Sequence, residues 1–170
     1  CLVEAGAILC GADTDGRFIT VQDGAIRVAG GSIAEIGAAA DLRARFPDLP
    51  RHGGQGMIAM PGMVNGHHHS GITPLMHGVP FAPLEFWLPR FRAQRRVPLR
   101  LDTLYSAIEM LESGTTTVHH IHGGLAGAPA SWRQTADSVL GAYGEIGMRA
   151  GFSFMIRDRN RLTYQGDAAL

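Results

Sequence analysis

The chain has 170 residues, a formal net charge of +0 and 18% charged residues, so its composition argues against nucleic acid or an anionic membrane as a partner. Apolar residues make up 45%, which argues against disorder and supplies a core. All 15 cationic side chains are arginines, so chemistry that needs a Schiff-base or carbamylated lysine has no residue here.

The first 58 residues predict short strands joined by turns. Val3 to Cys10 is an apolar segment, and Asp13, Asp15 and Gly16 mark a turn. Phe18 to Val21 predicts a second strand that ends in a turn at Gln22-Asp23-Gly24. Ala25 to Val28 and Ser32 to Ile36 flank Ala29-Gly30-Gly31, a hairpin signal. Ala38 to Phe46 has helical composition and stops before Pro47, and Gln55 to Met60 returns as a strand. His52 is assigned to a solvated polar loop. Two cysteines, Cys1 and Cys10, make no disulfide framework and suit a reduced, cytoplasmic compartment. No apolar run approaches the roughly 18 residues of a membrane span, and no signal-peptide pattern opens the chain.

From Pro61 the pattern changes. If Met63 to His69 is extended, His67 and His69 share one face and His68 takes the other. Two imidazoles at that spacing can share a metal ion, since neutral histidine binds zinc at about 2.0–2.1 Å. Residues 70–100 read as a long connection rich in proline, with Phe81, Phe86, Trp87 and Phe91 as anchors. Arg90, Arg92, Arg95, Arg96 and Arg100 read as a solvated or subunit-facing basic cluster. Leu101 to Ser113 predicts a helix capped by Asp102, with Leu104, Ala107, Ile108 and Leu111 on its inner stripe and Gly114 at its end. Thr115 to Ile121 is β-branched and strand-like. A capping box, Ser131-x-x-Gln134, introduces a helix whose stripe is Trp132, Ala136, Val139, Leu140 and Tyr143, and Met148 to Ile156 is a further strand. Strand and helix in alternation imply a parallel sheet with right-handed crossovers.

Pro61-Gly62-Met63-Val64-Asn65-Gly66-His67-His68-His69 resembles the first barrel strand of the amidohydrolase superfamily, whose pattern is Pro-Gly-hydrophobic-hydrophobic-Asn-x-His-x-His. Pro83-Leu84-Glu85-Phe86-Trp87-Leu88 and Glu112-Ser113-Gly114-Thr115-Thr116-Thr117-Val118 resemble its cytosine deaminase, adenosine-type deaminase and triazine hydrolase branch. The resemblance runs in order over nearly the whole chain. It implies an α/β fold, with the first strands and helices of a (β/α)8 TIM-like barrel preceded by a small β-sandwich. Residues 1–58 would be the N-terminal part of the sandwich, and residues 59–170 about three β/α units of the barrel. Because such a barrel needs about 250 residues, the expectation is the N-terminal part of a longer enzyme, inactive alone.

The resemblance further implies one divalent metal ion, zinc with iron as the alternative, held in part by His67 and His69. A histidine on the fifth strand and an aspartate on the eighth would complete the site, and a glutamate near the sixth strand with another histidine would move protons. No catalytic acid or base is therefore assigned within this segment. Trp87, in the first βα loop, is a candidate platform for a flat heterocycle, with a buried loop anchor as the bland alternative. His120 and His122, at the carboxyl end of the second strand, are candidate substrate contacts, although the family more often shows aspartate or asparagine near His120. His68 is assigned to packing between barrel and helix, with its ring hydrogen-bonded. The activity expected is hydrolysis of a carbon–nitrogen bond other than a peptide bond, as in deamination of a nitrogen heterocycle. Its alternatives are a triazine-type chlorohydrolase, a cyclic amidase or a barrel that has lost its metal. Partners would be a small heterocyclic substrate and further copies of the same chain, with neither nucleic acid nor membrane.

Overall fold

The computed structural model describes residues 1–69, 75–95, 97–123 and 128–156. The chain divides into two compact units, Cys1–Pro61 and Gly62–Leu170.

The first unit contains four strands: β1 (Leu2–Ala12), β2 (Phe18–Ala29), β3 (Ser32–Ala38) and β4 (Arg51–Ala59), with the helix α1 (Ala39–Arg45) between the last two. The sheet order is β3-β2-β1-β4. The β1–β4 pair is parallel, and the other two pairs are antiparallel. Gly30 and Gly31 form the two-residue β2–β3 loop with φ of 58° and 76°, the left-handed backbone that a tight hairpin requires and glycine supplies at little cost. Helix α1 covers Leu2 and Ala25 with Ala39 and Leu42, and Phe46 and Leu49 close this core.

Two expectations are corrected in this unit. Gln22-Asp23-Gly24 is not a turn, because β2 runs straight through it, with Gln22 opposite Ala7 and Gly24 opposite Ala5. A continuous ladder to β1 outweighs local turn chemistry, and Asp23 absorbs the conflict with φ at 44°. His52 lies in β4, exposed, rather than in a loop.

The second unit is a parallel sheet of β5 (Met63–His68), β6 (Thr115–His122) and β7 (Arg149–Phe154), in that order. Helix α2 (Leu84–Arg92) lies between β5 and α3 (Leu99–Glu112), and α4 (Pro129–Glu145) links β6 to β7. Ala107 and Met110 of α3, Val139 and Tyr143 of α4, Val118 of β6 and Met148 form one core, so both long helices cover the same face of the sheet. Gly62 is required where it stands, because an added Cβ would lie on the side chain of Thr116. No helix among the described residues is long and apolar enough to cross a membrane.

Several local expectations give way here. The connection at 70–100 carries a nine-residue helix with Pro89 inside it. Its first turn is closed by the Pro83 carbonyl, which accepts from the amides of Phe86 and Trp87 at 2.9 and 3.2 Å. Asp102 does not cap α3. The cap position is Pro98, and Asp102 is buried in the first turn. The inner face of α3 is Asp102, Thr103, Ser106, Ala107 and Met110, while Ile108 is exposed. Thr103 and Ser106 can be buried on this face because their hydroxyls donate back to the Leu99 and Thr103 carbonyls at 2.9 and 3.0 Å. Ser131 lies inside α4, where its hydroxyl donates to the Ala128 carbonyl at 2.7 Å, so the capping box is not formed. Leu140 is exposed.

Candidate metal centre

The three histidines at the end of β5 divide between two environments. The imidazoles of His67 and His69 meet edge to face with centroids 4.6 Å apart, and their Nε2 atoms lie 2.8 Å from each other. His68 turns the other way, half-buried, with its ring 5.5 Å from that of His120. Burial holds the His68 imidazolium below the usual histidine range, the Asp102 carboxylate opposes that effect, and His69 adds to it.

One ring nitrogen of His69 is committed. Its Nδ1 lies 2.9 Å from the carbonyl oxygen of Ile121, which can only accept, so Nδ1 carries the proton and Nε2 keeps its lone pair. A backbone carbonyl behind a ligating histidine fixes ring orientation and raises ligand basicity. Two nitrogens bound to tetrahedral zinc at about 2.0–2.1 Å stand roughly 3.3 Å apart. The pair needs to open by only about half an ångström, a small ring rotation at exposed side chains, so its donor set fits a zinc ion. Among the described residues no third histidine, cysteine, aspartate or glutamate joins it.

The opposite face of the sheet holds a buried polar chain. His120 is 1% exposed, and its Nδ1 lies 3.0 Å from the Tyr143 hydroxyl. Ser106 gives its proton to the Thr103 carbonyl at 3.0 Å and also bonds Tyr143. Burial pushes the Tyr143 phenol up to about 12, and it lowers His120 to about 4, with His68, His122, His69 and His119 adding positive repulsion. The Nε2 atoms of His68 and His120 are buried with no hydrogen-bond partner among the described residues, so the ring bond expected for His68 is missing there at that atom. His122 is half-buried and stacks on His120 and Phe152 at 6.0 and 6.2 Å.

Of the sequence candidates, the fold brings His67 and His69 together and sets His120 and His122 on the helix-covered face. The His120 ring is enclosed against Tyr143 and Phe152. Trp87 is half-buried on α2, with its ring 6.1 Å from Phe91. His119 is exposed and bonds the Ser153 hydroxyl at 3.1 Å. Sequence reasoning missed Tyr143 and Ser106 as polar partners. Three histidines within four residues of a β-branched strand, His119, His120 and His122, were the available signal, since a buried imidazole demands a donor or acceptor opposite. The Ile121 carbonyl has no sequence signal at all.

A family model described as an imidazolonepropionase-like composite domain of bacteria matches residues 24–48. The chain is 28% identical over 155 residues to the 5-methylthioadenosine/S-adenosylhomocysteine deaminase of Pelotomaculum thermopropionicum, an alignment spanning 88% of this chain and 35% of that protein. It is 32% identical over 122 residues to deaminase 1 of the same name from Syntrophus aciditrophicus, across 68% of this chain and 27% of that one. The chain therefore spans about a third or less of the length of these curated relatives. Among solved structures, a mutant atrazine chlorohydrolase from Arthrobacter aurescens TC1, complexed with zinc and atraton, superposes with a TM-score of 0.68 at 25% identity, covering 89% of this chain and 35% of that one. With deaminases and a zinc-bound chlorohydrolase matched along most of its length, this chain belongs to the amidohydrolase superfamily of metal-dependent hydrolases.

Proposed function

We propose that this chain supplies the first two metal ligands, His67 and His69, of a hydrolase that removes ammonia from a nitrogen heterocycle. The observation that carries the reading is the convergence of the two Nε2 atoms at 2.8 Å with the His69 Nδ1–H already spent on Ile121. When bound there, zinc supplies a Lewis acid and draws the pKa of a coordinated water toward about 7. The chain's own part is to hold the two imidazoles edge to face with their Nε2 atoms converging, and with the His69 Nδ1–H already spent on the Ile121 carbonyl. Trp87, at the end of the chain's first β/α connection, offers a flat apolar surface for a heterocycle. His120 and His122, at the carboxyl end of β6, are the further candidate contacts.

In this reading the second unit is the first part of a (β/α)8 barrel, and the first unit is part of a β-sandwich. The names of the relatives make adenosine-type nucleosides, 5-methylthioadenosine first, the substrates to try. Water adds to the ring carbon that bears the amino group, the exocyclic carbon–nitrogen bond breaks, and the amino group leaves as ammonia with one of the water's protons while the other stays on the ring nitrogen. Dechlorination of a triazine is the second reading, favoured by the likeness to the chlorohydrolase.

The test uses the full-length protein. His67→Ala and His69→Ala should each remove most bound zinc or iron and abolish ammonia release. Full metal occupancy in both variants would reject the ligand assignment. Chloride release from a chlorotriazine without ammonia release from nucleosides would favour the second reading.

A further inference from the structure

Strict alternation along β5 does not by itself explain why His67 and His69, rather than His68, leave the helix-covered face. Asn65 lies on that covered face, because its Nδ2 reaches the Met110 Sδ of α3 at 3.6 Å and it stands opposite the buried Val118. By the two-residue period, His67 should follow Asn65 under the helices and His68 should face away. The observed order is the reverse.

The reversal comes from the register. Asn65 pairs with Val118 and His68 with His120, so three steps on β5 match two on β6. One extra residue is therefore accommodated between Asn65 and His68, which is the definition of a bulge, and bulges re-aim the side chains beyond them. Gly66 lies within the bulge, and none of the described residues occupies the space where its Cβ would be. The Asn65 side chain stabilises the irregular segment directly, because its Oδ1 accepts the His67 backbone N–H at 3.1 Å.

We infer that Asn65 is a positioning residue for the metal centre: by capping the His67 amide it holds the bulge that turns His67 and His69, and not His68, toward the ion. The inference rests on the assignment of His67 and His69 as ligands made above. Asn65 touches neither ion nor substrate, and its effect is carried by the backbone of the ligand strand.

The experiment compares Asn65→Ala, which deletes the acceptor, with Asn65→Asp, which keeps an Oδ in place, in the full-length protein. Zinc affinity is measured by chelator competition, and amide exchange of His67 is followed in the zinc-free protein. Asn65→Ala should weaken zinc binding by about tenfold or more, within the 10–100-fold effect of outer-shell partners, and should speed His67 exchange while core amides such as Val118 stay protected. Asn65→Asp should restore both to within about threefold of the parent. Zinc affinity unchanged in Asn65→Ala would overturn the inference, as would an aspartate variant as weak as alanine or a loss of protection spread evenly over the core. Failure of the ligand assignment itself is seen separately, in full zinc content of His67→Ala and His69→Ala. In that event the exchange rate of His67 still decides whether Asn65 holds the bulge.

Discussion

The Nδ1 atom of His69 lies 2.9 Å from the carbonyl oxygen of Ile121, so the ring beyond the end of β5 is locked to the backbone of β6. A carbonyl cannot donate, and the link therefore selects one of the two neutral tautomers. In the zinc-free full-length protein above pH 7, nitrogen NMR should find His69 protonated at Nδ1 and bare at Nε2. A spectrum dominated by the Nε2–H form would mean that this cross-strand link is absent in solution.

Tyr143 provides a second test. Changing it to phenylalanine keeps the ring in the core but strands the buried Nδ1 of His120. Leaving a buried group unsatisfied costs about 1–3 kcal/mol, and chemical denaturation should show a loss of that size. Zinc content should not change, because the chain from His120 to Ser106 lies on the face opposite the His67–His69 pair. Unaltered stability would show that the hydrogen bond is replaced without cost.

Acid should act through His120. Its folded value of about 4 lies below the ordinary 6.5, so between those values the unfolded chain binds the extra proton and stability rises with pH. The contribution is complete above 6.5 and is lost as pH falls toward 4. His68, His122, His69 and His119 add repulsion to this ring as they protonate, Tyr143 bonds it, and Asp102 acts on His68 and Tyr143. Unfolding curves of zinc-free protein should show the parent losing more stability over that window than His120→Gln. Parallel curves would contradict the assignment.

Trp87 distinguishes a substrate platform from an anchor. Trp87→Leu keeps apolar bulk and removes the flat face. As a platform, the indole contributes on the order of 1 kcal/mol of stacking beyond its buried area, so kcat/KM should fall by about tenfold while zinc content and melting temperature hold. A lowered melting temperature with unchanged kinetics would assign Trp87 to packing against Phe91 instead.

The strands and helices with strong period, such as β6, α4 and the Gly30-Gly31 hairpin, were legible in the sequence because local chemistry and packing agree there. Legibility failed where a partner outside the segment decided the outcome. Gln22-Asp23-Gly24 has turn composition, yet the ladder to β1 extends through it. Asp102 has cap chemistry, yet it is buried against the sheet that carries His68. In the candidate site, the pairing of His67 with His69 was readable from spacing alone. The reason for it was not, since simple alternation counted from Asn65 gives the opposite face, and only the register against β6 reveals the extra residue.

The parallel β1–β4 pair fixes an order of events in folding. The β2–β3 hairpin needs only the two glycines between its strands and can close in about 1–10 μs, as short hairpins do. Leu2 must find Arg51 across most of the unit, after β1, β2, β3 and α1 have all been drawn in. Long loops close at greater entropic cost, and contacts distant in sequence slow folding. A nascent chain therefore cannot finish this sheet until β4 has been synthesised, by which point the polymerising end stands only a few residues short of the three histidines.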